Sequence, residues 1–296
     1  YRFEPKFAQA NFEKWIIKYN IKYIRGQWVT SVAKQNQKIK AIESSSGDFY
    51  NAKMFIDASY EGDLMALAGV SYTYGRESIS SYNEKYAGIK KASREKQFPP
   101  GISAYDTAGK VYPEIQQAKF DELGKGDMKL PAYNFRLCLT DKKENSIAIT
   151  QPTNYNPQRF ALLSKVLKKK PGAKLKDVIM FLPLGAIGKV DVNHAGCFST
   201  NYIGANWKYP EASHQEREKI WQAHKDYLQE FLYFISTDPS VPEHIRLQMQ
   251  RVGYAKDEFV TNNHWPHQLY IRECRRMLGE YILTEKDILT SINKED

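Results

Sequence analysis

The chain has 296 residues, 42% hydrophobic, 13% aromatic and 26% charged, enough apolar material for one or two globular domains with a sizeable core. No run approaches the roughly 18 to 20 consecutive apolar residues of a membrane-spanning helix, and Cys138, Cys197 and Cys274 lie too far apart for a disulfide framework or a cysteine zinc site. The net charge of +9 raises a polyanion partner, but the lysines are scattered and the 20 tyrosines are not interleaved with arginines as a single-strand platform requires, so nucleic acid is not expected.

Residues 5–19 read as an amphipathic helix with Phe7, Phe12, Trp15, Ile16 and Tyr19 as its apolar members. A strand over 21–25 follows, then two more over 28–33 and 38–43 joined by a polar turn at Asn36, and a Ser-rich turn over 44–48. Residues 54–57 continue from Lys53 as a short buried strand that breaks into Ala58 and Ser59. Residues 61–68 have helical character, and Gly69 is placed to stop them. Such strand-to-helix junctions are where α/β proteins bind ligands. Small residues let a backbone approach a ligand. Glu61 and Asp63 suit the positive end of a helix and can also accept from a ligand hydroxyl.

From Ser78 to about Pro131 the chain turns rich in Lys, Ser, Gly and Pro, as for an excursion into a second domain. Residues 131–140 alternate as a strand, with Tyr133, Phe135, Leu137 and Leu139 on one face and Asn134, Arg136 and Cys138 on the other. Asn134 and Arg136, side by side, suit a carboxylate or a polarised carbonyl. A helix opens near Pro157 and closes on Lys168-Lys169-Lys170, where cations suit the dipole. Ser213 and Glu216 form a capping-box pattern, followed by a core stripe that includes His224; a further helix covers 242–252, with Gly253 as its stop.

His264 and His267 flank a proline, so a helical metal pair is not expected, and no histidine motif indicates a metal. On a loop they suit a proton donor. The closing block reads as a helix with Tyr270, Cys274, Met277, Leu278 and Tyr281 on one face and Arg272, Arg275, Arg276 and Gly279 on the remainder. Those arginines suit either pairing with Glu273 and Glu280 or an anion, and they would stabilise a Cys274 thiolate.

Phe55-Ile-Asp-Ala-Ser-Tyr-Glu-Gly-Asp-Leu64 resembles the F-I-D-A-[ST]-Y-E-G-D-L segment of FAD-dependent oxidoreductases with the glutathione-reductase-like nucleotide fold. The Tyr133 to Thr140 segment is similar to the P-Y-N-[FY]-R-[LM]-C-L-T strand of that family. Tyr270 to Tyr281 is similar to its Y-I-R-E-[ST]-R-R-[ML]-[LIV]-G-E-Y segment, with Cys274 replacing the usual small hydroxyl residue. The resemblance implies an α/β fold, α+β overall: a partial FAD/NAD(P)-binding Rossmann-like domain with a β-meander over 1–77, an inserted α+β substrate domain over 78–262, and a helical return over 263–296. It implies FAD as cofactor, near Val29, Ala58, Ser59, Glu61, Gly62, Asp63, Arg272 and Arg276. It puts His264, His267 and Arg136 on the catalytic side, and Asn134, Arg136 and Arg275 at a small organic substrate, for which a sugar-derived molecule is one option.

The family opens with a glycine-rich pyrophosphate turn, yet this sequence has no G-x-G-x-x-G, and Gly124-Lys-Gly126 is its only G-x-G. Together with a start at Tyr1, this leads us to expect an internal fragment that lacks the first βαβ unit and the final flavin segment and binds FAD weakly by itself. Two other readings stay open: a carbohydrate-active protein (polysaccharide lyase or sugar-binding module), suited by the many Tyr and Trp, and a flavin-free scaffold or polyanion binder. Compartment and oligomeric state are not set by the sequence.

Overall fold

The computed structural model describes residues 3–91, 97–117, 121–185 and 187–292. Helix α1 (Pro5–Lys18) starts with proline in its first turn, where the missing N–H costs nothing. Strands β1 (Val29–Gln35) and β2 (Lys38–Ser44) form the expected antiparallel pair, and β3 (Phe49–Asn51), not read from the sequence, extends it into a three-stranded meander. Asn36 and Gln37 make a two-residue turn between β1 and β2, both at positive φ (47° and 68°), the geometry that matches strand twist. Helix α2 (Asp63–Leu67) ends at Gly69, whose φ of 73° is the left-handed stop expected of it.

Strand β4 (Tyr72–Thr73) and helix α3 (Ile79–Tyr82) lead into a long irregular stretch, and β5 (Cys138–Thr140) and β6 (Ser146–Ile147) follow it. Helix α4 (Ala161–Lys169) comes next, then the hairpin β7 (Ile179–Pro183) and β8 (Lys189–His194). Helix α5 (His214–Thr237) is opened by the capping box: the Ser213 hydroxyl accepts from the Glu216 N–H at 3.3 Å, and the Glu216 carboxylate accepts from the Ser213 N–H at 2.8 Å. Helix α6 (Glu243–Met249), strands β9 (Gly253–Ala255) and β10 (Arg276–Met277), and helix α7 (Glu285–Ile292) complete the order.

Among the described residues every strand pair is antiparallel, so the architecture is mixed helix and sheet with no parallel pairing. The largest sheet has the order β6-β9-β5-β8-β7, and β10 pairs with β4, bringing the end of the chain back to its first third. The core lies between that sheet and α4–α6. Tyr133, Phe135, Leu137 and Leu139, the inward face read from the sequence, pack there with Phe160, Phe231 and Trp265.

Five expectations fail, each because a distant partner is missing or prevails. Residues 21–25 are not a strand, and residues 54–57 are extended but neither paired nor buried: Met54 is 77% and Ile56 83% exposed. A strand needs a neighbour to take its backbone groups, and no described residue offers one. The apolar side of α1 is uncovered in the same way, with Phe7, Phe12 and Trp15 exposed.

The closing block is not a helix. It runs extended, Leu269, Ile271 and Cys274 turn inward, and Tyr270 N–H donates to the Asn134 carbonyl at 2.8 Å, so a long-range backbone bond takes the place of a helical one. Of residues 131–140 only β5 is regular strand, with a single bridge from Asn134 to Tyr270 before it. Gly253 does not stop a helix: it opens β9, where a Cβ would stand 2.2 Å from the Ile147 carbonyl oxygen. The hairpin β7–β8 was not read from the sequence at all.

Candidate functional site

An open cleft of about 550 Å³ lies where β1, the 57–63 turn and the first turn of α5 meet. Val29, Ala58, Ser59, Glu61 and Asp63 line it, from segments some 30 residues apart, and His267 closes one edge. The turn is built from its own side chains. Asp57 accepts from the Ser59 N–H (3.1 Å) and hydroxyl (2.7 Å) through one oxygen and from the Met65 N–H (2.9 Å) through the other, and the Ser59 hydroxyl accepts from Gly62 N–H at 3.0 Å. Gly62 itself sits at φ 70°, where a Cβ would meet the Met65 methyl at 2.9 Å. Asp57 thus caps α2, and Ser59 supports the turn from within.

Asp63 is held by two arginines. Arg217 reaches both its oxygens at 2.5 and 2.9 Å, and Arg275 donates at 2.6 Å. Burial opposes its charge, but the bonds and charges of Arg217 and Arg275 outweigh burial and hold its carboxyl below the usual range. Arg217 is buried and also donates to the carbonyls of Tyr209 and Pro210. Glu61 accepts from the Tyr209 hydroxyl at 2.9 Å. At the cleft's rim the rings of Trp28 and His214 stack at 3.7 Å, with Glu218 3.5 Å from His214. Sequence reasoning missed Trp28, Tyr209, His214 and Arg217 at this site; no short motif marks them, since folding alone brings α5 against the turn.

The remaining expected site residues lie elsewhere. Arg136 pairs bidentately with Asp191, Nε to Oδ1 at 2.9 Å, so its charge is already answered. Its neighbour Asn134 is 1% exposed, and neither of its amide atoms has a partner among the described residues. Arg275 is taken by Asp63 and by Glu211 at 3.1 Å. Arg276 is taken by Glu273 and by the Gly75 carbonyl at 3.0 Å. Among the described residues Arg272 bonds only neutral oxygens, the Ala132 carbonyl at 2.8 Å and Asn201 at 3.4 Å. Arg272 and Arg136 share one ring, Tyr270, with guanidinium carbons 5.1 and 5.4 Å from its centroid.

His264 adopts φ 61° and donates from Nδ1 to the Glu258 carbonyl at 3.2 Å, away from the cleft lining. His267 stands 3.0 Å from the Thr261 hydroxyl through Nε2, and its carbonyl accepts from Trp221 at 3.1 Å. The expected Cys274 thiolate is not favoured: burial pushes its thiol up to about 11 despite Arg217 and Arg275. All three cysteines are free.

One carboxylate group has the spacing of a metal centre: Glu4, Asp257 and Glu258. Its middle is taken by Lys189, whose side chain is 4% exposed and whose ammonium donates to the three at 2.5, 2.7 and 2.8 Å. Burial opposes that charge, but the three carboxylates raise the Lys189 pKa; burial likewise opposes the charges of Glu4 and Asp257, and Lys189 and Lys6 outweigh it and hold both low. The cluster is an internal ion lock joining α1 to the central sheet.

A family model described as FAD dependent oxidoreductase matches residues 1–296. No curated protein and no solved structure matches the chain.

Proposed function

The chain belongs to the FAD-dependent oxidoreductase family, with FAD as its cofactor, and from that premise we propose that the cleft beside β1 takes the adenosine half of the flavin. The observation that carries this reading is the gathering of Val29, Ala58, Ser59, Glu61 and Asp63 on one cleft. The donor set suits a nucleoside. The β1–β2 ladder is irregular between Val29 and Ser31, which disturbs backbone pairing next to the cleft. Asp57 and Glu61 offer carboxylate oxygens to ribose hydroxyls, and exposed Ala58 leaves room for a close approach.

The same set does not suit a diphosphate. Asp57, Glu61, Asp63 and Glu218 line the cleft against the single cation Arg217, which is already committed to Asp63. The cleft therefore suits the nucleoside end of the cofactor rather than its pyrophosphate.

FAD, when bound, supplies the two-electron acceptor. The chain's own residues orient and exclude. Arg217 and Arg275 fix Asp63 and, through it, the turn that carries Glu61. His267 can hold or pass a proton at Nε2, where Thr261 now meets it. Arg272, bonded only to neutral oxygens, is the arginine best placed among the expected ones to meet an acidic group on an organic substrate. Family membership favours this reading over a carbohydrate-active or flavin-free protein.

Titration of the chain with FAD, followed by flavin fluorescence, tests the proposal. Binding is expected to be weak, to be competed by adenosine at least as well as by ADP but not by riboflavin, and to weaken about tenfold in Glu61→Gln, which loses a charge-assisted bond. Tight FAD binding competed by riboflavin alone would overturn it.

A further inference from the structure

A second cavity, of about 360 Å³, lies between Trp207 and Glu273, apart from the cleft beside β1, and none of the residues expected from the sequence lines it. Ile203 and Trp207 give it an apolar wall, and Arg76, Gln116, Lys129 and Glu273 converge on it. A mostly apolar hollow with a few convergent polar groups is the form that small-molecule sites take.

We propose that this cavity binds a neutral, ring-shaped polyhydroxy compound of hexose size, with Trp207 as the wall for its apolar face and Glu273 as the acceptor of one of its hydroxyls.

Three observations carry the assignment. Glu273 uses one oxygen, Oε1, for both of its anchoring bonds, from the Gly75 N–H at 3.0 Å and from Arg276, and Oε2 takes part in neither. Arg76 gives Nε and Nη2 to Asp127, and Gln116 gives its amide N–H to the Ile203 carbonyl at 3.1 Å, so one guanidinium nitrogen and one amide oxygen stay uncommitted in these bonds. The rim therefore offers both a donor and acceptors, as vicinal hydroxyls require.

Charge decides the class of ligand. Arg76, Lys129 and Arg276 stand against Asp127, Glu273 and Glu77 in the ion pairs around the cavity, three cations and three carboxylates, so neither an anion nor a cation gains. The Lys129 ammonium, 5.4 Å over the Trp207 ring, further disfavours a cationic guest. Burial raises the Glu273 pKa, only partly offset by Arg276, and a more basic carboxylate is a stronger acceptor.

The test is saturation-transfer NMR on the full chain without flavin, with D-glucose as probe and D-gluconate and D-glucosamine as charged counterparts. Glucose is expected to receive transfer more strongly than either. Its affinity should fall about tenfold in Trp207→Ala, which removes the aromatic wall, and severalfold in Gln116→Ala, which removes a rim group without touching the core. Absence of transfer to glucose, stronger transfer to a charged counterpart, or affinity unchanged in both variants overturns the proposal. Because no flavin enters the measurement, its failure leaves the reading of the first cleft intact.

Discussion

His224 shows how burial turns a residue into a pH sensor of stability. It lies on the inner stripe of α5, its Nδ1 donates to the Ile220 carbonyl at 2.7 Å, and its Nε2 has no partner among the described residues. Burial lowers its pKa from 6.5 to about 4. Between those values the unfolded chain takes a proton that the folded chain refuses, so stability falls as pH drops through this window, by roughly 3 kcal/mol in all. Urea midpoints measured from pH 7 to 4 should show that slope, and His224→Gln should flatten it. The stripe was legible because period and burial coincide on a long helix. The commitments of Arg136 and Arg275 were not, because their carboxylate partners Asp191 and Asp63 are fixed by folding; the Arg276–Glu273 pair, three residues apart, was one of the two readings the sequence offered.

Elements whose signals are local formed where the sequence placed them: the β1–β2 hairpin, the capped α5, and α2 with its glycine stop. The turn between β1 and β2 still carries a mismatch, since Gln37 holds φ 68° without being glycine. Gln37→Gly is expected to raise stability by about 0.5–1 kcal/mol, read as a higher urea midpoint at unchanged slope. Gly253→Ala should act the other way. Its Cβ would press on the Ile147 carbonyl, costing more than about 2 kcal/mol and removing hydrogen-exchange protection from the β6–β9 pair. Residues 270–281 misled because Tyr270, Cys274, Met277, Leu278 and Tyr281 recur at helical spacing, whereas the contact of Tyr270 with Asn134 holds the segment extended and turns Leu269, Ile271 and Cys274 inward instead.

At the scale of the whole molecule, Lys189 and its three carboxylates join the start of the chain to its far end. Lys189→Met would leave Glu4, Asp257 and Glu258 without that counter-charge. Breaking a buried pair of this kind costs about 3–5 kcal/mol, and α1 should become the first site cut in limited proteolysis. The pH signs run in opposite directions. The lowered Glu4, Asp257 and Asp63 contribute stability that is full above the ordinary carboxylate range of about 4 and fades as pH falls through their lower folded values. The raised Lys189 contributes below the ordinary lysine value of about 10.4 and fades only as pH climbs through its higher folded value. On the alkaline side the buried Cys274 and Cys138 thiols, pushed up by burial, act earlier than Lys189, because the unfolded chain ionises them first above the ordinary thiol value of about 8.5; a thermal scan across pH should therefore show its maximum near neutral pH and a decline on both sides.

The same lock sets an order of assembly during synthesis. Glu4 leaves the ribosome 185 residues before Lys189, and Lys6 leaves it 251 residues before Asp257. At about 5–20 residues per second the first interval alone is roughly 10 to 40 s. Through it α1 is a 14-residue helix with Phe7, Phe12 and Trp15 uncovered and no anchor, a length marginal in isolation. The nascent chain thus carries this apolar helix unanchored until Glu258 has emerged, and the lock then fixes the position of α1 without covering its apolar side.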